Sequence, residues 1–408
     1  MKRIIGTAVA AAVVVGAALV APAVATAVPS NVVTSAEFNK VAYGNSIDYV
    51  RKTFGTNGTV VDRLDVPGTV NDSVSVEFPT YYDEGFVQVD FARRSSGAWY
   101  LVTKYAYWGV TATRTADKAT EAEFAKVAQG NSIAYVRSAF GTNGTVTETY
   151  DAPGTAYDSV VVEWPTASVD GWVQVYFAKS SSGTWKVDTR SAFWGVAPKQ
   201  TADKATEAEF NKVKLGNSIE YARSTFGTAG TISFYYDAPG TADDMVSIGW
   251  PTAAPDGSVD LDFVKSSSGA WKVDGRSAYW ARTATPTTDL ATQAEFEKLG
   301  KGSTLDEARS TFGTAGTVVA TWDGPGTDSD LLVMAWYAGT EGGDVTILFG
   351  KTTAGVWTIL DDADMTPGIW PGGATARSFS DGQESREPSA PLHQEAPARP
   401  TWDLRDAG

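Results

Sequence analysis

The sequence predicts an α+β protein of four tandem α-α-β-β-β-β repeats, each with two short helices packed on a four-stranded antiparallel sheet. Three observations support this prediction: a fixed repeat period, a helix-capping signal at the start of each repeat, and alternating apolar patterns after the helices. The period is 86 residues, and it holds without insertion over four copies. It relates Phe38, Phe124, Phe210 and Phe296; Gly55, Gly141, Gly227 and Gly313; and Trp99, Trp185, Trp271 and Trp357.

Two helices are predicted at the start of each copy. The first copy opens with the capping-box pattern T-x-x-E, from Thr34 to Glu37, which begins a short helix. Gly44 is placed to end that helix, and a second helix follows from Asn45 to Gly55. The same pattern recurs at Thr120 and Glu123, Thr206 and Glu209, and Thr292 and Glu295.

Four strands are predicted after the helices, because the apolar residues then alternate with polar ones. In the first copy the runs are Val60 to Leu64, Val74 to Phe78, Phe86 to Phe91 and Trp99 to Trp108. Turns are predicted after the first strand at Pro67-Gly68, Pro153-Gly154, Pro239-Gly240 and Pro325-Gly326. Alternation directs Val74, Val76, Phe78, Val87, Val89 and Phe91 towards the helices, and Ser75, Glu77, Gln88 and Asp90 away from them. One face of each sheet is therefore expected to stay open.

The two ends of the chain lie outside the repeats. Lys2 and Arg3, the apolar run to Val20 and the small residues ending at Ala27 indicate a cleaved signal peptide and a secreted protein, rather than a membrane span. Residues 28–33 form an N-terminal segment. The repeats cover residues 34–110, 120–196, 206–282 and 292–366, with linkers at 111–119, 197–205 and 283–291, and residues 367–408 are predicted to be a disordered tail.

Composition argues against most catalytic and cofactor chemistry. The chain has no cysteine, and its one histidine, His393, falls in the predicted tail, so no catalytic triad or histidine metal cluster is expected in the repeats. The acidic loops lack the order of a calcium-binding loop. A net charge of −15 disfavours nucleic acid and anionic membranes as partners. We therefore expect a non-enzymatic protein without cofactor or metal, monomeric and not bound to membranes.

Large aromatic residues on the predicted open faces are the candidate binding residues, because solvent-facing aromatics often anchor partners. Strand alternation selects Phe86, Tyr100, Trp108, Trp172, Tyr176, Trp194, Tyr235 and Trp280. Acidic residues share these faces, which suits a protein partner with a basic patch. Two alternatives remain open: neighbouring copies bury these rings, or the alternation fails near strand ends and Trp108 and Trp194 belong to the core.

The pattern F-x-x-V-x-x-G with Val50, Gly55 and a four-stranded sheet resembles the repeat of the secreted β-lactamase inhibitory proteins of actinomycetes. The resemblance covers all four copies and implies a concave sheet surface that clamps a class A β-lactamase. It implies interface roles for Tyr176 and Trp194, and for an acidic hairpin tip at Asp83 and Glu84, which Tyr81 and Tyr82 precede. The chain lacks the disulfide that the family has in each unit, and the tyrosine cluster after the tip is replaced by Gly85, Phe86 and Gln88.

Two functions are therefore expected. The first is a secreted protein that binds another extracellular protein through its open sheet faces, in the manner of a β-lactamase inhibitor. The alternative is a cell-wall or polysaccharide-binding module, in which exposed Trp and Tyr stack on sugar rings. The fourth copy, which has Asp362 and Asp364 where its siblings have basic and aromatic residues, is predicted to cap the repeat array.

Overall fold

A computed structural model describes residues 31–66, 72–152, 158–238, 243–324, 326, 330–339, 343–368 and 370. The predicted signal peptide, residues 371–408 of the predicted tail with His393, and the turns at Pro67-Gly68, Pro153-Gly154 and Pro239-Gly240 lie outside the described residues, as does Pro325.

Each copy contributes two short helices followed by strands. The first has α1 Ser35–Phe38, α2 Ile47–Phe54, β1 Thr59–Leu64, β2 Ser73–Pro79, β3 Phe86–Arg93 and β4 Trp99–Tyr107. The second has α3 Glu121–Phe124, α4 Ile133–Ala139, β5 Thr145–Asp151, β6 Ser159–Pro165, β7 Trp172–Lys179 and β8 Trp185–Phe193. The third has α5 Glu207–Phe210, α6 Ile219–Thr225, β9 Thr231–Asp237, β10 Met245–Pro251, β11 Ser258–Lys265 and β12 Trp271–Tyr279. The fourth has α7 Gln293–Phe296, α8 Leu305–Thr311, β13 Thr317–Asp323, β14 Leu331–Trp336, β15 Val345–Lys351, β16 Trp357–Ile359 and β17 Met365–Thr366.

The predicted capping boxes are confirmed, but the first helix ends at Phe38 and not at Gly44, and the second begins at Ile47. In α1 the Thr34 hydroxyl accepts from the backbone N–H of Glu37 at 3.3 Å, and the Glu37 carboxylate accepts from the N–H of Thr34 at 2.9 Å. The same reciprocal pair begins α3, α5 and α7. Helix α2 ends at Gly55 with φ of +68°, a left-handed conformation that glycine adopts without a steric cost.

The fold class predicted from the sequence is wrong, because the copies do not have separate four-stranded sheets under paired helices. Within the described residues all the strands join one antiparallel sheet of 17 strands, and the α-helices are few and only four to eight residues long. From β1 to β16 each strand pairs with the next along the chain, and β17 pairs with β15. The pairing continues between copies through β4–β5, β8–β9 and β12–β13. Alternation along one strand predicts its two faces but says nothing about whether its outer edge stays free.

The last strand of each of the first three copies is shared between two neighbours. The first half of β4 is bonded to the segment before α2, where the N–H of Leu101 donates to the carbonyl of Asn45 at 2.8 Å. The second half pairs with β5, and Lys104 stands opposite Asp151 in that register. The same division is seen in β8 and β12. The next copy is therefore held by main-chain hydrogen bonds and not only by the chain connection.

Four hydrophobic clusters lie between the helices and one face of the sheet. Val74, Val76, Phe78, Val87, Val89 and Phe91 are all buried in the first cluster, as the sequence predicts. The clusters are not isolated, since Val146 packs against the first and second, Ile232 against the second and third, and Val318 against the third and fourth. These three residues stand 86 positions apart, so each junction between copies is built in the same way.

The fourth copy ends differently from the others. Asp362–Asp364 form a turn of 3-10 helix that separates β16 from β17. In the first three copies a tryptophan after the last strand packs edge-on against the phenylalanine of the first helix, as Trp108 does on Phe38 with ring centroids 5.6 Å apart. Trp370, four positions later than the period would place it, is buried and packs on Phe296 at 6.3 Å.

Candidate functional site

The sheet face opposite the helices carries a group of half-buried aromatic side chains where the first copy meets the second. We name this group, formed by Phe86, Tyr105, Tyr107, Tyr150 and Tyr176, the junction patch. Phe86 lies 5.7 Å from Tyr105 and 6.2 Å from Tyr107 between ring centroids. Tyr105 stands opposite Tyr150 across the junction between β4 and β5. The patch therefore exists only because the two copies share one sheet.

Three tyrosines of the junction patch, Tyr105, Tyr150 and Tyr176, keep their hydroxyl protons. Burial is the first cause that raises the pKa of Tyr105, Tyr150 and Tyr176 above the ordinary value of 10. Neighbouring carboxylates add to the shift, and the Tyr105 hydroxyl donates to Glu148 Oε2 at 3.0 Å. Each ring thus offers apolar area together with a hydroxyl group, a combination common at protein interfaces.

Acidic side chains border the junction patch. Glu148 stands opposite Tyr107, and Asp90 accepts hydrogen bonds from Thr103 at 2.6 Å and from Gln88 at 3.0 Å. These carboxylates are held in place by the sheet, so their negative charge has a fixed position on the open face. Such an arrangement favours a partner that brings positive charge to the rim of the contact.

The hairpin between β2 and β3 extends from this end of the sheet and presents the predicted tip residues. Tyr81 and Tyr82 are 52% and 48% exposed, with their rings edge-on at 5.2 Å, and Asp83 and Glu84 are exposed beside them. The tip is closed by Gly85, where an added Cβ would lie 2.6 Å from the carbonyl oxygen of Trp108. The loop is therefore tightly packed at its base while its side chains face solvent.

Four of the predicted binding residues face the helices and not the open side. Trp108, Trp194 and Trp280 are 9%, 6% and 2% exposed and belong to the hydrophobic clusters. The reason is a β-bulge in each last strand, where Asp90 stands opposite Thr103 but Phe91 opposite Leu101, so that Val102 is extra.

The bulge turns the rest of the strand over and moves Tyr105 and Tyr107 onto the open face. A similar irregularity at Ser233 directs Tyr235 into the second and third clusters. The sequence pattern alone gives no sign of the extra residue, so strict alternation assigned these residues to the wrong face.

The other predicted aromatics lie on the open face or at its margin. Phe86 and Tyr176 belong to the junction patch. Trp172 also faces the open side but is only 8% exposed, because Phe193 and Phe234 cover it, each with its ring centroid 6.4 Å away. Tyr100, at the start of β4, lies against Tyr43 and under the guanidinium of Arg94 at 4.7 Å.

Sequence reasoning missed a column of aromatic residues that the period could have revealed. Tyr150, Tyr236 and Trp322 stand 86 positions apart at the same place in the first strand of their copies, on the open face. Trp322 is the most accessible tryptophan of the described residues, at 38%. A second column of Tyr107, Phe193 and Tyr279 accompanies it on the last strands. Each junction between copies therefore carries at least one aromatic residue from each of the two copies.

The open face of the third copy carries two carboxylates on its third strand. Asp260 and Asp262 lie on β11, and the pKa of Asp260 is raised to about 6, first by burial and further by the charge of Asp262. The Ser258 hydroxyl donates to Asp260 at 2.7 Å. Pro198 of the preceding connection lies over Gly249 beside this carboxylate, where an added Cβ would be 2.7 Å from the proline ring.

No known protein family matches the sequence, and no curated protein matches it. Within the described ranges, no three histidine, cysteine or acidic side chains are arranged to hold a metal ion. In the same part of the chain, no helix has the length and apolar character to cross a membrane.

Proposed function

We propose that the chain is a non-catalytic, secreted binding protein that holds a partner protein against the junction patch and the adjacent hairpin tip. The single observation that carries the proposal is the junction patch itself: five half-buried aromatic side chains from two copies on one rigid sheet surface, with acidic groups around them. Residues on strands hold their positions without ordering on binding, which reduces the entropic cost of association.

The chemistry of the patch favours an extracellular protein with a basic surface. Tyr81, Tyr82, Asp83 and Glu84 add an exposed loop beside Phe86, so that an apolar centre is flanked by an exposed acidic rim. A class A β-lactamase is the first partner to test, because of the resemblance described above. Fewer of the interface roles that the resemblance implies now remain in the proposal. Trp194 lies in the core, while Tyr176 and the hairpin tip are accessible.

The test measures inhibition of a panel of class A β-lactamases by the chain without residues 1–27. We expect inhibition that the double variant Tyr81→Ala, Tyr82→Ala weakens by at least about tenfold, since two exposed aromatic contacts of about 1 kcal/mol each are lost. The matched control is Trp322→Ala, which removes an open-face aromatic from another junction and should leave inhibition unchanged. No inhibition at micromolar protein would remove the β-lactamase from the proposal, and an affinity screen against basic extracellular proteins would follow with the same variants.

A second function is favoured by one observation, the regular column of Tyr150, Tyr236 and Trp322. Successive members lie four strand spacings apart, about 19 Å at the usual spacing of strands, so a linear polysaccharide has the reach to contact more than one ring. Retention of the chain on purified cell-wall glycan tests this function. Here the roles of the variants exchange: Trp322→Ala should reduce retention, and Tyr81→Ala with Tyr82→Ala should not.

A further inference from the structure

The outer edge of β1 is the one first-strand edge that no preceding copy covers within the described residues. The corresponding edges of β5, β9 and β13 are paired with β4, β8 and β12. Strand β1 pairs with β2 along its other edge, and all six of its residues are exposed. Val60, Val61 and Leu64 are 50%, 49% and 52% exposed. The edge thus has the shape of an internal junction that lacks its first half.

The three internal junctions show what such an edge binds. In each, a basic residue of the last strand forms an ion pair with an aspartate of the next first strand: Lys104 with Asp151 at 3.2 Å, Arg190 with Asp237 at 2.9 Å, and Arg276 with Asp323 at 2.6 Å. Four residues after the basic residue, the backbone N–H of a tryptophan donates to a backbone carbonyl of the next first strand. In the first junction this bond runs from Trp108 to Thr147 at 2.9 Å. The pattern is basic, any residue, alanine, aromatic, tryptophan.

The first copy has the acceptor half of this junction in place. Asp65 stands one period before Asp151 and is exposed, and no basic side chain of the described residues forms an ion pair with it. Val61, one period before Thr147, has the same bulge position in its strand. Beyond the strand, the N–H of Val66 donates to Asp72 at 2.9 Å, as that of Ala152 does to Asp158. The edge is therefore folded as its three paired equivalents are.

A second copy of this chain does not fit the edge. The donor strands β4, β8 and β12 are already paired, and the end of the fourth copy has lost the donor pattern. Asp362 stands where Arg276 would be repeated, and the chain there is a 3-10 helix. A head-to-tail contact would bring Asp362 against Asp65, which like charges oppose.

We propose that the outer edge of β1 accepts an extended strand of a partner protein, one that carries a basic residue for Asp65 and a large apolar residue four positions later. The strand adds to the sheet by main-chain hydrogen bonds, and the basic and apolar residues lie on the helix side, next to Asp65 and Val60. The aromatic residue between them faces the open side opposite Asp62, since Tyr107 and Phe193 stand opposite Glu148 and Phe234 in the internal junctions. This surface is distinct from the junction patch and does not depend on the function proposed for it.

The experiment uses a fluorescent peptide with the sequence of residues 188–196, DTRSAFWGV, which is the donor strand of the second junction. Anisotropy is measured on titration with the chain. We expect saturable binding that Asp65→Lys weakens by at least about tenfold, because an attraction is replaced by a repulsion. A peptide with aspartate in place of its arginine should bind Asp65→Lys more tightly than it binds the wild-type chain.

The matched control is Asp170→Lys, which makes the same charge change at an exposed hairpin tip of the second copy and should leave binding unaltered. A wild-type chain that does not bind the peptide would overturn the proposal, and so would the finding that a segment of the chain itself fills the edge. Equal binding by wild-type and Asp65→Lys chains would also overturn it, since the peptide would then be bound elsewhere or exchanged with β8.

Discussion

Lys104 and Asp151 join two copies of the repeat through an ion pair that also ties the sheet to the helices. The Lys104 ammonium lies 3.2 Å from Asp151 and donates to the carbonyl oxygens of Phe38 and Val41 at 2.7 Å each. Lys104 is 2% exposed, and burial lowers the pKa of its amine while Asp151 opposes that effect. One side chain thus completes the hydrogen bonding of the first helix and fixes the next copy.

Replacing Lys104 by alanine is expected to lower the free energy of unfolding by about 3 kcal/mol. The change leaves two buried carbonyl groups without a donor and Asp151 without its partner. The matched control is Lys104→Arg, because Arg190 and Arg276 fill the same position in the second and third copies. Urea unfolding followed by circular dichroism makes the measurement, and an alanine variant within about 0.5 kcal/mol of the wild type would contradict this role.

Trp194→Ala is expected to act on stability and not on binding. Trp194 is 6% exposed and packs on Phe124 at 5.9 Å, so its removal leaves a large cavity and costs about 3–5 kcal/mol. Trp322→Ala removes the same side chain from the open face, where 38% of it is exposed, and should cost less than about 1 kcal/mol. Comparison of the two melting temperatures tests the assignment, and equal losses would contradict it.

The sequence predicts the local elements of this chain well and their assembly poorly. The capping boxes at Thr34 and its equivalents, the closing Gly55 and the buried alternation from Val74 to Phe78 depend on neighbouring residues, so spacing is enough to find them. The sharing of β4 between Asn45 and Asp151 depends on residues far apart in the chain. No local sequence pattern indicates which strand edges of neighbouring copies will pair, and the prediction of separate sheets is therefore wrong.

The candidate site was predicted in part for a related reason. The hairpin tip at Tyr81 and Tyr82 and the strand residue Phe86 lie outside the bulged part of β4, and the structure places them at the surface or on the open face. Beyond Val102, the extra residue exchanges the faces, so Trp108 enters the core while Tyr105 takes the open side. The 86-residue period carried unused information, because a comparison of Tyr150, Tyr236 and Trp322 would have drawn attention to the first strands.

Ala281→Gly is expected to stabilise the chain by about 0.5–1 kcal/mol. Ala281 has φ of +47°, in the left-handed region, where Gly109 and Gly195 stand at the equivalent positions with φ of +64° and +59°. Glycine removes the strain of a side chain in this conformation, and this gain exceeds the entropy that it costs. The converse variant Gly195→Ala should destabilise the chain by more than Ala281→Gly stabilises it, since its Cβ would lie 2.6 Å from Ser168 Oγ. Melting temperatures of both variants test the pair, and a lower value for Ala281→Gly would refute the argument.

Asp260→Asn is expected to stabilise the chain at pH 7 and to have little effect at pH 4. The folded-state pKa of Asp260, about 6, lies above its ordinary value of 3.8 because burial disfavours the charged form. Between these values the folded state binds more protons than the unfolded state, so this group lowers stability as the pH rises from about 4 to 6. The penalty is complete above pH 6, about 1–3 kcal/mol for a shift of this size, and the uncharged amide avoids it.

Urea unfolding at both pH values makes the measurement, with Asp256→Asn at an exposed tip of the same copy as the control. An equal gain at pH 4 and pH 7 would show that packing, and not the charge on Asp260, is responsible.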